Sequence, residues 1–323
     1  MKLPSPAGLT RRFQAPRPPD FFFVGHPRSG SGLLDSYLGG HPDLFMARKE
    51  LHYFGSDLRY HEPPRTLENY LDHFRGAGDV ARVGEASTWY LISTRAADEI
   101  KAFCAANETP EPRIVLMLRD PVTWLYSLHS HLVFTGDEDI PDFADALDAE
   151  PDRRAGARMP AYSIPACATW YRDHTRYADQ VQRYFDAFGR DRVKVLINDD
   201  FRADSVRVYD EVLDFLGLEV DFPGKQEVVD SSKRSRNSNR TVRSAAVRRF
   251  VNTPVRRRVL EGVDPAPVPG FGLTLRALRR ANIEYAPRTP MEPALQESLR
   301  RDVQEEVERL EALLGRDLPA WRA

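Results

Sequence analysis

The stretch from Asp20 to Leu38 constrains the fold more than any other part of this chain. It opens with three phenylalanines and a valine, a short apolar run that is typical of a buried strand. A turn rich in glycine, serine and proline follows, and then an apolar segment of helical character. A strand, a small-residue turn and a helix in this order present backbone N–H groups and the positive end of a helix to an anion. The stretch therefore predicts an anion-binding turn, against the alternative of a tight glycine turn that binds nothing.

Strand-like segments alternate with helix-like segments along the rest of the chain. Further strands are predicted at 81–84, 113–118 and 193–197. Helices are predicted at 66–74, 94–106, 122–133, 164–188, 205–216 and 295–314. This alternation predicts an α/β fold of three layers, in which a P-loop-like central parallel sheet is flanked by helices. We expect residues 1–19 to form a flexible N-terminal arm and residues 20–323 to form a single domain.

The bulk composition excludes several classes of protein. The 323 residues carry a net charge of −2, which argues against a general nucleic-acid binder. The two cysteines, Cys104 and Cys167, do not form a CxxC pair, so neither a disulfide framework nor a zinc site is predicted. No apolar segment has the length of a signal-peptide core or a membrane span. We expect a cytoplasmic protein without a bound metal, and the richness in Arg, Ala, Pro and Asp is typical of a bacterial source.

Two segments carry charge of one sign. Thr135 to Asp152 holds eight acidic residues and neither lysine nor arginine, and we expect a solvated loop or lid within an insert at 135–160. Ser231 to Arg258 holds ten basic residues and no acidic one, and is predicted to form a basic loop and helix. This basic run could bind nucleic acid, coat an anionic membrane surface or hold the phosphates of a cofactor. Phe250 and Val251, flanked by arginines, leave a peripheral membrane contact open.

The glycine turn lacks the parts that a nucleoside triphosphate needs. Gly25 and Gly30 have the spacing of a Walker A loop. Ser31 and Gly32, however, stand where that loop has its lysine and its magnesium-binding hydroxyl. Arg28 supplies a cation from within the turn, and its planar, permanently charged guanidinium suits a tetrahedral anion. The residues therefore disfavour a triphosphate with a metal ion.

Two motifs resemble those of sulfotransferases that use 3′-phosphoadenosine 5′-phosphosulfate (PAPS). Pro27-Arg28-Ser29-Gly30-Ser31 is similar to the loop that binds the 5′-phosphosulfate in this family. Arg119-Asp120-Pro121, with Ser127 six residues further on, is similar to the motif that binds the 3′-phosphate. Weaker likenesses at Asn198–Phe201 and at 313–321 extend the resemblance over nearly the whole chain.

The resemblance implies PAPS as the cofactor, 3′-phosphoadenosine 5′-phosphate (PAP) as its product, and no metal. The residues that it assigns to the cofactor are Arg28, Ser29, Gly30, Ser31, Gly32, Leu33, Arg119, Ser127, Lys233, Arg234 and Arg236. The last three come from the basic run, because family members close the nucleotide site with a basic loop in this region.

The segment Lys49-Glu50-Leu51-His52-Tyr53-Phe54 resembles the K-E-x-H-F-F segment of heparan-type and many bacterial sulfotransferases. The resemblance is thus closer to the heparan or carbohydrate type than to the cytosolic steroid type. It implies Glu50 as the general base, with His52 as the alternative, and Arg28 as a catalytic cation. We expect the aromatic neighbours to enclose Glu50 and to raise its pKa toward neutrality. Lys49 either neutralises the transferring sulfuryl group or is a surface lysine.

The sequence thus predicts a sulfotransferase that moves a sulfuryl group from PAPS, in line, to an acceptor hydroxyl. A carbohydrate, a lipid-linked sugar or other lipid, and a small metabolite all fit as the acceptor, and nucleic acid is not expected as a partner. Ala86 and Thr88 depart from the family's pattern on the acceptor side, which argues against a sulfated polysaccharide. Two alternatives stay open: a P-loop-like nucleotide kinase or hydrolase, and a catalytically silent module that binds PAP or PAPS.

Overall fold

The computed structural model describes residues 15–60, 64–109, 112–160, 163, 165–234, 240–251, 253, 259, 270–285 and 288–322. The strands in these residues are β1 (Phe21–Gly25), β2 (Leu44–Met46), β3 (Arg82–Thr88), β4 (Arg113–Leu118), β5 (Val193–Ile197), β6 (Arg240–Val242) and β7 (Ile283–Tyr285). The α-helices are α1 (Ser31–Leu38), α2 (Leu67–Leu71), α3 (Ala96–Ala106), α4 (Pro121–Thr135), α5 (Phe143–Asp148), α6 (Glu150–Arg154), α7 (Tyr177–Phe188), α8 (Asn198–Ala203), α9 (Ser205–Leu216), α10 (Lys225–Arg234), α11 (Ala245–Val251), α12 (Phe271–Ala281) and α13 (Pro293–Leu314). Short 3₁₀ helices lie at Ser56–Leu58, Asp72–Phe74, Ala166–Thr169, Arg172–Thr175, Arg190–Arg192 and Pro319–Trp321.

Five parallel strands form the main sheet, in the order β2-β3-β1-β4-β5. The central strand β1 pairs with β3 on one side and with β4 on the other. The chain order therefore reverses at β1, and in open α/β sheets ligands bind beyond the carboxyl ends of the strands at this point. The prediction of an α/β fold with a central parallel sheet is confirmed.

Helices cover both faces of this sheet, because successive residues of a strand point to opposite faces. Phe21 and Phe23 lie in a buried cluster with Leu34 of α1 and with apolar residues of α9. Phe22 points to the other face, where its ring packs edge-on against Phe54 with 5.9 Å between the centroids. Phe54 in turn packs against α3. The three predicted layers are therefore present.

The chain divides into two compact units. The first comprises residues 1–124, 174–236 and 303–323, and it contains the five-stranded sheet. The second comprises residues 125–173 and 237–302, and it contains the antiparallel pair of β6 and β7. The single domain expected for 20–323 stays a prediction.

The acidic stretch 135–152 is partly helical, and only some of its acidic side chains are in solvent. Within the second unit it forms α5 and the start of α6, and Glu138 is fully buried. Both terminal nitrogens of Arg153 donate to Glu138 at 2.6 Å, and the Tyr171 hydroxyl donates to the same carboxylate at 2.7 Å. Burial would raise the pKa of Glu138, but these hydrogen bonds lower it. The expectation of solvent is wrong for Glu138, because its neutralising arginine follows the acidic run in sequence. The acidic residues at 139, 142, 145, 148 and 152 are exposed, and the role of the stretch as a lid stays a prediction.

The structure differs from the sequence-based expectation at the start of one helix and near the N-terminus. The helix predicted at 164–188 begins only at Tyr177, because two 3₁₀ turns precede it and the backbone N–H of Arg172 donates to Glu150. Residues 1–14 of the predicted arm lie outside the described residues. Arg17 is not loose, since it donates to the carbonyls of Val80 and Ala81 and lies 3.2 Å from the Asp20 carboxylate.

Candidate active site

The candidate site lies in the first unit, at the edge of the sheet where all five strands have their carboxyl ends. Each strand delivers functional side chains to that edge within a few residues of its last position. These residues are Arg28 after β1, Lys49 and Glu50 after β2, Ser87 and Thr88 at the end of β3, Arg119 after β4 and Asn198 after β5. The sequence predicts roles at this site for Arg28, Lys49, Glu50 and Arg119. It marks Thr88 only as a departure from the family pattern.

The phosphate loop, residues 26–32, is held by its carbonyl groups. Three side chains from separate elements donate to three consecutive carbonyls: Trp124 Nε1 to Pro27 at 2.7 Å, Arg119 Nη1 to Arg28 at 3.2 Å, and Asn198 Nδ2 to Ser29 at 2.8 Å. In a trans peptide the N–H points away from the carbonyl, so the N–H groups of residues 28–30 point away from these three donors, and that of Ser29 also donates to the His26 carbonyl at 3.4 Å. Because these hydrogen bonds hold the carbonyls on one side of the loop, the other side presents N–H groups that suit an anion.

The helix that follows adds to this anion-binding surface. The N–H groups of Ser31 and Gly32, at the start of α1, have no acceptor one turn back within the helix. The N–H of Leu33, which the sequence assigned to the cofactor, donates to the Gly30 carbonyl at 3.3 Å. Gly30 has φ +101°, and a Cβ there would lie 2.5 Å from Asn198 Nδ2, so the loop requires glycine at this position.

Lys49 lies between the phosphate loop and Glu50. Its Nζ donates to Ser31 Oγ at 3.0 Å and lies 4.0 Å from the nearer carboxylate oxygen of Glu50. The side chain is only 20% exposed, and its ammonium lies over the Phe23 ring. The ammonium therefore lies partly buried beside the loop, and its role in neutralising the sulfuryl group stays a prediction.

Glu50 and His52, the two candidate bases, contact each other. His52 Nε2 lies 2.9 Å from Glu50 Oε2, and the Thr88 hydroxyl donates to Glu50 Oε1 at 2.8 Å. The His52 ring stacks on Tyr60, with 3.9 Å between centroids. Burial acts to raise the pKa of Glu50, but His52, Lys49 and Thr88 together lower it to about 2. The expectation that enclosure raises this pKa toward neutrality is wrong, because the neighbouring donors outweigh the burial.

Arg119 follows β4 in a capped turn. Asp120 Oδ1 accepts the Val122 N–H at 3.1 Å at the start of α4, and the Tyr177 hydroxyl donates to the Arg119 carbonyl at 3.0 Å. These contacts fix the backbone from which the Arg119 side chain reaches the Arg28 carbonyl. Its assignment to the 3′-phosphate stays a prediction.

Ser127 belongs to the second unit, where it is buried on α4. Its hydroxyl lies 3.5 Å from Arg288 Nη2, and the Arg288 guanidinium lies over the Tyr126 ring. The Tyr126 hydroxyl donates to the Thr289 carbonyl, which holds this segment to α4. Sequence reasoning missed Arg288 because a lone arginine between prolines carries no motif. The phosphate-binding role of Ser127 stays a prediction.

Three basic residues of the predicted cofactor site lie wholly or partly outside the described residues. The side chains of Lys233 and Arg234, at the end of α10, lie outside the described residues, and so does the whole of Arg236. Among the residues that are described, no group of three or more His, Cys, Asp or Glu side chains could hold a metal ion. Nor is any helix in this part of the chain both long and apolar enough to cross a membrane.

No protein-family model matches the chain. Its fold resembles the crystal structure of a sulfotransferase from Alicyclobacillus acidocaldarius, with a TM-score of 0.67 and 28% identity. This likeness covers 95% of the present chain and 100% of the other. The chain is thus similar to a sulfotransferase over nearly its whole length. The resemblance inferred from the two phosphate motifs is thereby confirmed.

Curated sulfotransferases match shorter parts of the chain. The human bifunctional heparan sulfate N-deacetylase/N-sulfotransferase 3 is 26% identical over 216 residues, which cover 62% of this chain and 22% of that protein. The membrane-associated sulfotransferase kil1 of Dictyostelium discoideum is 30% identical over 108 residues, which cover 32% of this chain and 21% of that protein. The chain thus spans between a fifth and a quarter of the length of these sulfotransferases. The predicted closeness to heparan-type members is confirmed.

Proposed function

We propose that this protein transfers a sulfuryl group from PAPS to an acceptor hydroxyl. The observation that carries the proposal is the phosphate loop with its three tied carbonyls, next to a lysine and a carboxylate at one edge of the sheet. An N–H surface without a Walker lysine or magnesium ligand suits a phosphosulfate better than a triphosphate.

The residues around the loop fit the two ends of such a donor. The N–H groups of residues 28 and 30–32, with the side chains of Arg28 and Lys49, would hold the 5′-phosphosulfate, and Arg119 would hold the 3′-phosphate. Arg119 also donates to the loop, so a single side chain would couple the two ends. PAPS would supply a sulfuryl group already activated as a mixed anhydride with phosphate.

The side chains of the protein would then carry out the transfer. The acceptor oxygen attacks sulfur and forms the new O–S bond while the S–O bond to the 5′-phosphate breaks, so PAP leaves with the electron pair. Glu50 takes the acceptor's proton, and its low pKa keeps it ionised at neutral pH. Thr88 and His52 orient the two carboxylate oxygens, and Lys49 neutralises charge on the sulfuryl oxygens.

The acceptor is proposed to be a carbohydrate, a lipid or a small metabolite that carries a hydroxyl. The test is to incubate the protein with PAPS and a panel of these acceptors, in the presence of a chelator. Release of PAP together with one added sulfuryl group on an acceptor, measured by mass spectrometry, is the expected result. Failure to bind PAP, or magnesium-dependent turnover of ATP in its place, would contradict the proposal. The cytoplasmic location stays a prediction.

A further inference from the structure

A buried carboxylate lies behind the base loop, which we define as residues 49–54. Glu85 of β3 is 1% exposed. Three hydroxyl groups donate to it: Tyr70 at 2.6 Å on one oxygen, and Ser87 at 2.7 Å and Tyr90 at 2.8 Å on the other. Burial raises the pKa of Glu85, and these three hydrogen bonds act to lower it.

Two of these hydroxyls also accept hydrogen bonds from the base loop. Ser87 Oγ accepts the N–H groups of Leu51 and His52, both at 3.0 Å. The Tyr90 hydroxyl accepts the N–H groups of the next two residues, 53 and 54, at 2.8 and 3.2 Å. Two hydroxyl side chains, one in β3 and one just after it, therefore accept hydrogen bonds from four consecutive N–H groups of the base loop.

The backbone N–H groups fix how Ser87 and Tyr90 act in this relay, which runs from Glu85 through the two hydroxyls to the base loop. A backbone N–H can only donate, so the two hydroxyls use their lone pairs on the loop. Each hydroxyl has one hydrogen, and in this structure Glu85 is the acidic acceptor within reach of both, while Ser87 and Tyr90 also contact each other. An acceptor at this position thus fixes the orientation of both hydroxyls, and through them the backbone that follows Glu50.

The loop needs this support because it has no regular secondary structure of its own. His52 has φ +48°, in the left-handed region that residues other than glycine rarely adopt. This conformation is accompanied by the 2.9 Å contact between His52 and Glu50. Without acceptors for its N–H groups, a buried loop of this kind would lose several hydrogen bonds at once.

We propose that Glu85 is a positioning residue for sulfuryl transfer, which holds the base loop in its working geometry through the hydroxyls of Ser87 and Tyr90. The proposal rests on the proposed function, since it takes Glu50 as the base. What Glu85 supplies is an acceptor oxygen for two hydroxyls rather than a charge. A glutamine can supply the same oxygen and can direct its NH₂ toward Tyr70, whereas leucine fills similar space and accepts nothing.

The test compares Glu85→Leu with Glu85→Gln. Glu85→Leu is expected to lower kcat by about 100-fold, the scale of a misplaced catalytic group, while the affinity for PAP changes less than about threefold. In the same variant the amide hydrogens of 51–54 should exchange with solvent about tenfold faster or more. Glu85→Gln should restore both kcat and the slow exchange to within about threefold of the wild type.

Two further substitutions distinguish a specific effect on the base loop from a general loss of structure. Tyr90→Phe keeps the ring and removes one relay hydroxyl, so exchange should quicken at 53 and 54 and kcat should fall. Tyr70→Phe removes a hydroxyl that donates to Glu85 without touching the loop backbone, so both quantities should stay near the wild type. In the Glu85→Leu background, Glu50→Gln should cost far less than in the wild type, because the base is already misplaced.

The outcomes separate this proposal from the proposed function. If the wild type transfers no sulfuryl group to any acceptor, the proposed function fails, and exchange at 51–54 still decides whether Glu85 holds the loop. Unchanged exchange in Glu85→Leu overturns the proposal, and so does a parallel loss of PAP affinity and kcat. Equal defects in Glu85→Gln and Glu85→Leu overturn it too, because they would mean that the charge matters and not the acceptor oxygen.

Discussion

The phosphate loop and the base loop are held from opposite sides of their peptides. In the phosphate loop, Trp124, Arg119 and Asn198 donate to the carbonyls of residues 27–29. In the base loop, Ser87 and Tyr90 accept the N–H groups of residues 51–54. The first arrangement leaves N–H groups for an anion, whereas the second leaves no N–H group of 51–54 without an acceptor.

This difference indicates which groups of each loop would contribute to the proposed function, the backbone or the side chains. Under the proposed function, the phosphate loop would act mainly through its backbone, so its shape would matter more than its side chains, apart from Arg28. The base loop would act through the side chains of Lys49, Glu50 and His52, and its backbone would orient them. Since the supports come from different elements, changes in one loop should alter binding and changes in the other should alter turnover.

The largest effect should come from Glu50→Gln, which keeps the shape of the side chain but removes the proton acceptor. We expect kcat to fall by about 10²- to 10⁴-fold, the usual contribution of a general base. PAP affinity, measured by calorimetric titration, should stay within about threefold of the wild type. Glu99→Gln is the matched control, because Glu99 accepts the Gly55 N–H just beyond the base loop. A loss of PAP affinity as large as the loss of kcat would show that the two loops are not independent.

Arg119→Ala should have the next largest effect, this time on binding. It removes a cation proposed for the 3′-phosphate and the donor to the Arg28 carbonyl. Hydrogen bonds to charged groups contribute about 1.5–3 kcal/mol, so we expect PAP to bind about 10- to 100-fold more weakly. Arg82→Ala is the control, since Arg82 also donates to a carbonyl, that of Leu216, but from the other end of β3. Unchanged PAP affinity in Arg119→Ala would remove the assignment of a 3′-phosphate site.

Features encoded by neighbouring residues could be predicted from the sequence. The strand, turn and helix of 20–38 carry the phosphate loop within one short stretch, and the spacing of apolar residues was sufficient to find β4 and β5. The side chains that hold the loop could not be found in this way. Trp124 and Asn198 lie about 100 and 170 residues from the carbonyls that they bind, and nothing local marks such a partner.

The errors share one physical cause. The pKa of Glu50 was expected to rise, but it falls because the chain turns back at His52 and places an imidazole on the carboxylate. Glu138 was expected in solvent, but Arg153 and Tyr171 enclose it. In both cases the charge of a group was predicted from its neighbours in sequence, whereas its neighbours in space decide its environment.

Gly30→Ala should have a smaller effect than Arg119→Ala and should again act on binding. The added Cβ would meet Asn198 Nδ2 at 2.5 Å, and alanine is strained at φ +101°. Asn198 must then move off the Ser29 carbonyl, and we expect about tenfold weaker PAP binding with little change in kcat at saturating PAPS. Gly32→Ala is the control, because a Cβ there meets nothing within 4 Å. Equal effects of the two substitutions would mean that the shape of the loop does not depend on Asn198.

The smallest effect concerns the pH dependence of the base loop. Because the pKa of Glu50 is lowered to about 2, the wild type should show no acid limb in kcat between about pH 5 and pH 8. His52→Asn removes the main group that lowers this pKa, while burial continues to raise it, so the acid limb should move upward from its position near pH 2. The measurement is kcat at saturating PAPS and acceptor from about pH 3 to pH 8, with Tyr60→Phe as a control that keeps the ring stacked on His52. An acid limb near neutral pH in the wild type, absent from His52→Asn, would instead assign the proton to His52.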